Sequence, residues 1–306
     1  MICDKSHNEM QGIFIILHHS DNLIQNVLSA INNILTPIDF SEYSLRALEY
    51  AIEIAKKTNA TLHIIHAYRL IQPNNLSIHS LGIELKKHLE NTLNQKFNEL
   101  EFEYLANQPI EYEITLEVGF ALDVVQTTIT DKKIELVIMG TRGNRELEEI
   151  FGSTTWSVIK STTCPVLAVP KEAAFDSIKH ITLANESQSN DDTINWSIVK
   201  EIAHSFHTEV MILKCQPEKR MSVNVAQRNT SFYHDLFKGL KVSQLLCSRE
   251  TFIKGIKKQL DHCNSDLLVL ISKENILPES YFKRDNTKEI ILDTKIPILM
   301  IQKALI

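Results

Sequence analysis

The chain has 306 residues, which at about 100 to 200 residues per domain predicts two domains. Lys and Arg number 32 against 38 Asp and Glu, and the resulting net charge of −6 gives no electrostatic reason to expect a nucleic-acid partner. Apolar residues make up 43% of the chain, with only 8 Gly and 8 Pro, which excludes collagen-like, low-complexity and disordered proteins. We therefore expect an ordinary globular protein.

The cysteines and the apolar segments indicate the compartment. The 5 cysteines are scattered and include no C-x-x-C pair, which is typical of a reducing compartment. The longest apolar stretch near the start, residues 12–17, is far shorter than the roughly 20 residues of a membrane span and lacks a small-residue cleavage site. The sequence predicts a cytoplasmic protein without a membrane partner.

From residue 33 onwards, short β-branched runs alternate with longer helical patterns. Predicted strands cover residues 34–38, 61–66, 110–116, 136–139 and 165–169, and predicted helices lie near residues 45–55, 81–105, 121–130 and 155–161. Strands separated by helices at this rhythm require right-handed crossovers and a mostly parallel sheet that is covered on both faces. The first half is therefore predicted to be a five-stranded α/β domain.

The second half repeats this plan. Residues 266–270 resemble 135–139, residues 296–300 resemble 164–168, and the separations agree, 165 − 136 = 29 against 297 − 267 = 30. An internal duplication of about 140 residues explains this pattern best.

The duplication divides the chain. We predict an N-terminal extension over residues 1–32, a first domain over 33–171 and a second, degenerate domain over 178–306. The last strand of each copy is an apolar sheet edge, so we expect the two copies to pack together through these strands.

The segment from Met139 to Thr154 holds three of the eight glycines and lies between a buried strand and a helix. Open α/β sheets bind ligands at this position, outside the carboxyl ends of their strands. Glycines let backbone amides approach an anion, and Gly152, Ser153 and Thr154 at a helix start would offer N–H groups and hydroxyls to phosphate. The residues alone leave open whether the glycines bind phosphate or only terminate the strand and the helix.

This segment resembles a known fingerprint. The spacing Gly140-x2-Gly143-x8-Gly152-Ser153 resembles the G-x2-G-x9-G-[ST] motif of the ATP-binding class of the universal stress protein family, one residue short in its second spacer. Residues 35–41 and 164–169 share the resemblance, which covers residues 33–170 and, as a pattern, 178–301. It implies that each domain has the Rossmann-like fold of adenine-nucleotide alpha hydrolases, with strand order 3-2-1-4-5. Tandem forms with a degenerate second copy also occur in this family.

The resemblance also implies ligands and roles. ATP would bind the first domain with Mg²⁺ beside Asp39, and Pro37 and Ala67 would line the adenine pocket. The phosphates would be wrapped by Met139, Gly140, Arg142, Gly143, Gly152, Ser153 and Thr154. Judged without the resemblance, Asp39 also fits a structural carboxylate at a helix cap.

The second copy lacks the residues that the resemblance assigns to ATP binding. Ile271 stands where Gly140 stood, residues 272–286 contain no glycine, and Glu186 replaces Asp39. We expect the second copy to bind no ATP.

His63 and His66 lie three apart in a strand, hence on opposite faces, and are predicted to be structural histidines rather than a metal pair.

Three functions compete at this point. The leading hypothesis is a stress-response regulator in which ATP occupancy governs how the protein meets an unidentified protein partner. A slow ATPase or nucleotidyl-transferring enzyme is the second, although no matched acid and base is recognisable in the sequence. An interaction module that binds no nucleotide is the third. The family forms dimers through its last strand, so a tandem chain would imitate a dimer, and a further homodimer stays open.

Overall fold

The computed structural model describes residues 30–69, 79–141, 153–185, 194–216, 232–248, 256, 260, 265–272 and 295–302. Most of the predicted N-terminal extension lies outside these residues, as do Arg142, Gly143, Gly152, Glu186 and residues 273–286. Within the described residues, no helix combines the length and the apolarity that a membrane crossing requires.

Strands and helices alternate along the described chain. The strands are β1 (Asn33–Pro37), β2 (Thr61–Tyr68), β3 (Tyr112–Val118), β4 (Leu136–Thr141), β5 (Val166–Pro170), β6 (His180–Asn185), β7 (Glu209–Gln216), β8 (Val242–Ser248), β9 (Leu267–Ser272) and β10 (Ile298–Gln302). The helices are α1 (Glu42–Thr58), α2 (His79–Leu100), α3 (Ala121–Asp131), α4 (Ser153–Ser161) and α5 (Ser197–Phe206). A π-helical turn, Glu101–Leu105, follows α2, and a short helix at residues 232–236 precedes β8.

These strands form one ten-stranded sheet in the order β3-β2-β1-β4-β5-β10-β9-β6-β7-β8. The first five strands have the predicted order 3-2-1-4-5. The last five repeat it, because β8-β7-β6-β9-β10 are the third, second, first, fourth and fifth strands of the second half. Every pairing within a half is parallel, and only the join between β5 and β10 is antiparallel among the described strands.

The join between the halves is nearly symmetric. Leu167 pairs with Leu299, and each lies two residues after the proline that precedes its strand. A local twofold axis therefore passes through this pair, as in a self-complementary dimer interface. Both leucines are fully buried. The prediction that the closing strands pack together agrees with this pairing, which leaves neither strand as an open sheet edge.

Equivalent hydrogen bonds recur in the two halves. The carboxylate of Glu135 accepts from the backbone N–H of Asn33 at 2.7 Å, and the carboxylate of Asp266 accepts from that of His180 at 2.8 Å. In each half, an acidic residue just before the fourth strand thus ties down the start of the first strand. The repetition supports the interpretation of an internal duplication.

Helix α1 lies in the first half and packs against the linker and against a helix of the second half. Ser41 caps its start, Asn59 ends it in the left-handed conformation at φ 57°, and an apolar face that includes Leu48 and Ile54 is buried against the sheet. Its middle meets the linker, where the rings of Tyr50 and Phe175 lie 4.8 Å apart. Helix α5 packs beside α1, so one apolar core extends across the join on this face of the sheet.

Candidate functional site

A cavity of about 220 Å³ opens at the carboxyl ends of β1, β2 and β4. The chain order of the sheet reverses between β1 and β4, and this switch point is where open α/β sheets bind their ligands. The cavity is lined by Pro37, Ile38, Asp39, Ser41, Tyr43, Ser44, Ile65, His66, Ala67, Ala121, Val125, Met139, Gly140, Thr154 and Thr155.

Six of the ten residues predicted for the site lie together in this lining. They are Pro37, Asp39, Ala67, Met139, Gly140 and Thr154. Ser153 begins helix α4, but its side chain is outside the described part of the structure. Arg142, Gly143 and Gly152 also fall outside it, so their predicted phosphate contacts remain predictions.

Asp39 belongs to a tight polar turn at the start of α1. One of its carboxylate oxygens accepts from the backbone N–H of Ser41 at 3.0 Å and from the Ser41 hydroxyl at 2.5 Å. The Ser41 oxygen in turn accepts from the backbone N–H of Ser44 at 3.3 Å, which makes Ser41 the residue that caps the helix. Asp39 therefore supports the cap through Ser41 and lines the cavity as well.

Phe40, between Asp39 and Ser41, has a φ of 62°, which is uncommon for a residue with a side chain. Its ring packs against Phe97 and His66, at centroid distances of 4.9 and 5.1 Å. These aromatic contacts hold the unusual backbone in place, and such outliers cluster at functional sites.

Gly140 is required by packing. A Cβ at this position would overlap the backbone carbonyl of Tyr43, in the first turn of α1. The hydroxyl of Thr155 donates to the Gly140 carbonyl at 3.0 Å, which ties the start of α4 to β4. The residues alone left open whether Gly140 binds phosphate or only terminates the strand, and the structure adds a packing role, because its lack of a side chain lets α1 approach the sheet whatever the cavity holds.

Sequence reasoning missed several lining residues. Ser41 carried a recognisable signal, since a serine before an amphipathic helix is a common cap. Tyr43, Val125 and Thr155 belong to no motif and reach the cavity through the packing of three different helices. His66 had been predicted to be structural, and its Nδ1 lies 2.6 Å from the carbonyl oxygen of Ile38, but it lines the cavity too.

Among the lining residues that the structure describes, Asp39 alone offers a carboxylate to a metal ion. In the part of the chain that the structure describes, no three His, Cys, Asp or Glu side chains converge into a metal site. Mg²⁺ commonly binds through one or two carboxylates together with phosphate oxygens and waters. Asp39 therefore fits this ion in combination with a phosphorylated ligand.

A parallel sheet with a cavity at its switch point defines the class of Rossmann-like α/β ligand-binding domains. The sequence profile of the universal stress protein family matches residues 30–170. The first half of the chain is therefore similar to the universal stress protein family.

Curated relatives and a solved structure agree with that assignment. Universal stress protein A homolog 1 of Coxiella burnetii is 29% identical over 140 residues, which are 45% of this chain and 94% of that protein. A universal stress protein of Methanocaldococcus jannaschii is 29% identical over 171 residues, which are 53% of this chain and 98% of that protein. The crystal structure of a universal stress protein from Archaeoglobus fulgidus covers 89% of this chain and 99% of its own, with a TM-score of 0.68 at 16% identity. That likeness shows that both halves share the fold.

Proposed function

We propose that the first half binds an adenine nucleotide, ATP with Mg²⁺, and that the bound nucleotide regulates how the protein binds a protein partner in the response to stress. The observation that carries this proposal is the cavity between Asp39 and Met139, whose lining includes an apolar group, Ala67, Ala121 and Val125, and a polar group, Asp39, Thr154 and Thr155.

The apolar group suits a flat base. Ala67 of β2, together with Ala121 and Val125 of α3, offers a surface without hydrogen-bonding side chains. Ligand pockets typically combine such a surface with a few polar groups that fix the orientation of the ligand. A base seated here would leave the polar group for the rest of the nucleotide.

The polar group suits phosphate and a metal ion. Thr154 and Thr155 lie in the first turn of α4, where hydroxyls and backbone N–H groups favour an anion. Asp39 lines the same cavity and would hold Mg²⁺ together with phosphate oxygens. The ion would neutralise phosphate charge that Asp39 alone would repel.

An interaction module without nucleotide is the second candidate function. It is favoured by Gly140, because the packing against Tyr43 accounts for this glycine without any ligand. In that case the cavity would be a remnant, and the fused sheet would serve as a scaffold.

Thermal unfolding of the full chain with and without Mg-ATP tests the proposal. A ligand at 100 times its Kd stabilises the native state by about 2.7 kcal/mol, so we expect ATP to raise the unfolding temperature. Ala67→Phe should fill the space at the apolar group and abolish the rise. Ala106→Phe is the matched control, because Ala106 is exposed and lies outside the cavity lining. No rise at millimolar ATP would favour the interaction module, and phosphate release at several turnovers per second would favour an enzyme.

A further inference from the structure

We propose that Lys171, the first residue after β5, binds the phosphates of the nucleotide, so that the linker between the two halves forms part of the site. This inference rests on the proposed function. It concerns a residue outside the glycine segment and outside the cavity lining.

The sheet register places Lys171 at the correct edge. Pro170 pairs with Thr141 at the carboxyl ends of β5 and β4. Gly140, one residue earlier in β4, lines the cavity. The chain therefore leaves the sheet at Lys171 on the edge where the cavity opens.

The side chain of Lys171 lies against a wall of the cavity. Its Nζ is 5.5 Å from the centre of the Tyr43 ring. Tyr43 lines the cavity, and its backbone contacts Gly140. The ammonium group thus lies against a residue of the cavity lining.

The charges of the site call for such a cation. The described lining residues include the carboxylate of Asp39 but no Lys or Arg, although a nucleotide brings several negative charges. Among the described residues, no carboxylate forms an ion pair with Lys171, which is exposed. A surface cation–π contact is weak, whereas a hydrogen bond from an ammonium group to phosphate is charge-assisted and stronger. A bound phosphate would therefore draw the ammonium away from the Tyr43 ring.

The backbone of Lys171 is held in place, and its side chain is exposed. Its carbonyl accepts from Nε of Arg46 at 3.2 Å, in helix α1. Four residues further on, Phe175 packs against Tyr50 of the same helix. A phosphate bound by Lys171 would thus be attached to the segment that joins the two halves.

Isothermal titration of the full chain with Mg-ATP and with adenosine tests this assignment. Lys171→Ala should weaken ATP binding about tenfold and leave adenosine binding unchanged, because only ATP carries phosphates. Lys171→Arg should retain most of the ATP affinity. Lys160→Ala is the matched control: Lys160 also lies over an aromatic ring, 4.8 Å from that of Trp156, but in the last turn of α4 away from the cavity. We expect it to bind ATP like the unaltered chain.

Three outcomes contradict the assignment, and they are distinguishable. Equal ATP affinity in Lys171→Ala and the unaltered chain would overturn the role of Lys171 and leave the proposed function intact. An equal loss of ATP and adenosine affinity would show that Lys171 only supports the fold of the site. A failure of the unaltered chain to bind either ligand would overturn the proposed function itself.

Discussion

At the scale of single residues, Gly140 is where the packing of the fold and the proposed site meet. In Gly140→Ala, the added Cβ would overlap the backbone of Tyr43, and a backbone cannot move aside as a flexible side chain can. The first turn of α1 would have to shift. Overpacking of this kind costs about 1–3 kcal/mol, so we expect the free energy of unfolding in urea to fall by that amount.

Gly239→Ala is the control for this prediction. Gly239 has a φ of 91°, and a Cβ there would meet no atom within 4 Å. The substitution therefore introduces backbone strain without a steric overlap, at a cost of about 1 kcal/mol. If Gly140→Ala were no more destabilising than Gly239→Ala, the close approach of α1 to β4 would not be what requires a glycine at position 140.

Only part of the candidate site could be predicted from the sequence. Met139 is the last residue of its predicted strand, and Asp39 directly follows the predicted strand before it. The pattern of strands therefore places both residues at the ligand-binding edge of the sheet, where the structure has them. Val125 and His66 reach the same cavity from a helix and from the second strand, and only the folded packing brings them there. Lys171 is an ordinary linker residue until the register of β4 and β5 is known.

At the scale of secondary-structure elements, the starts of β1, β2 and β3 share a polar cluster around the buried side chain of His63. The two ring nitrogens of His63 lie 3.1 Å from a carboxylate oxygen of Glu113 and 3.1 Å from the amide oxygen of Asn33. Burial lowers the pKa of His63, and the neighbouring Glu113 opposes this shift only in part. The hydrogen bond from Lys132, at 2.8 Å, lowers the pKa of Glu113. His63 is therefore held mainly as the neutral imidazole at neutral pH.

This cluster predicts a pH dependence of stability. Because the pKa of His63 in the folded state is below its ordinary value of 6.5, the unfolded chain binds more protons as the pH falls through 6.5. The contribution of His63 is fully present above pH 6.5 and is lost as the pH falls towards the lowered pKa. In His63→Gln, the free energy of unfolding should therefore depend less on pH in this window than in the unaltered chain.

Urea unfolding at a series of pH values measures this difference. His88→Gln is the control, because His88 is exposed on helix α2. It should leave the slope of stability against pH as it is in the unaltered chain. If stability depended on pH in His63→Gln as steeply as in the unaltered chain, His63 would bind protons equally in the folded and the unfolded chain, and the prediction would be wrong.

The sequence predicted most elements but not all of their limits. The third strand was expected at residues 110–116 and lies at Tyr112–Val118, because its pairing with β2, where Tyr112 stands opposite Leu62, decides where it begins. Helix α5 was not predicted, although its buried residues recur at helical spacing. Strand β8 was missed as well: it contains the polar residues Ser243 and Gln244 and is a strand through its pairing with β7.

At the scale of the whole molecule, the two halves form a single body. The join between β5 and β10 continues the sheet, and the apolar core under α1 extends to residues of α5. The duplication and the packing of the last strands could be predicted from the sequence, because apolar strands that close each copy cannot stay exposed. The register of the join could not, since it depends on side chains from both copies meeting at one twofold axis.

The two halves differ most at their carboxyl strand ends. The pairing of Ile34 with Leu62 is equivalent to that of Ile181 with Val210, because each is the second pairing between the first and second strands of its half. Counting four residues further along each strand makes Asn185 the counterpart of Ile38 and Lys214 the counterpart of His66. Lys214 is almost fully buried, with 4% of its surface exposed, whereas its counterpart His66 is half-buried and lines the cavity. Asn185 and Ile38 are both buried, with 1% and 3% of their surface exposed.

A tyrosine from the short helix before β8 closes this part of the second half. The side-chain amide of Asn185 donates to the Tyr233 hydroxyl at 3.0 Å, and Nζ of Lys214 lies 5.7 Å from the centre of the Tyr233 ring. Tyr233 is itself 1% exposed. Opening a cavity here would separate buried polar groups from their partners, which costs free energy that a weakly held ligand does not return.

We therefore predict that each chain binds one nucleotide. Isothermal titration with Mg-ATP at a known chain concentration should give a stoichiometry of one, and Ala67→Phe should reduce it to zero because its substitution fills the only site proposed. A stoichiometry of two, or binding that survives in Ala67→Phe, would show that the second half accommodates ATP despite the buried contacts of Asn185, Lys214 and Tyr233. With one site per chain, the local twofold of the sheet joins a half that binds the ligand to a half that does not.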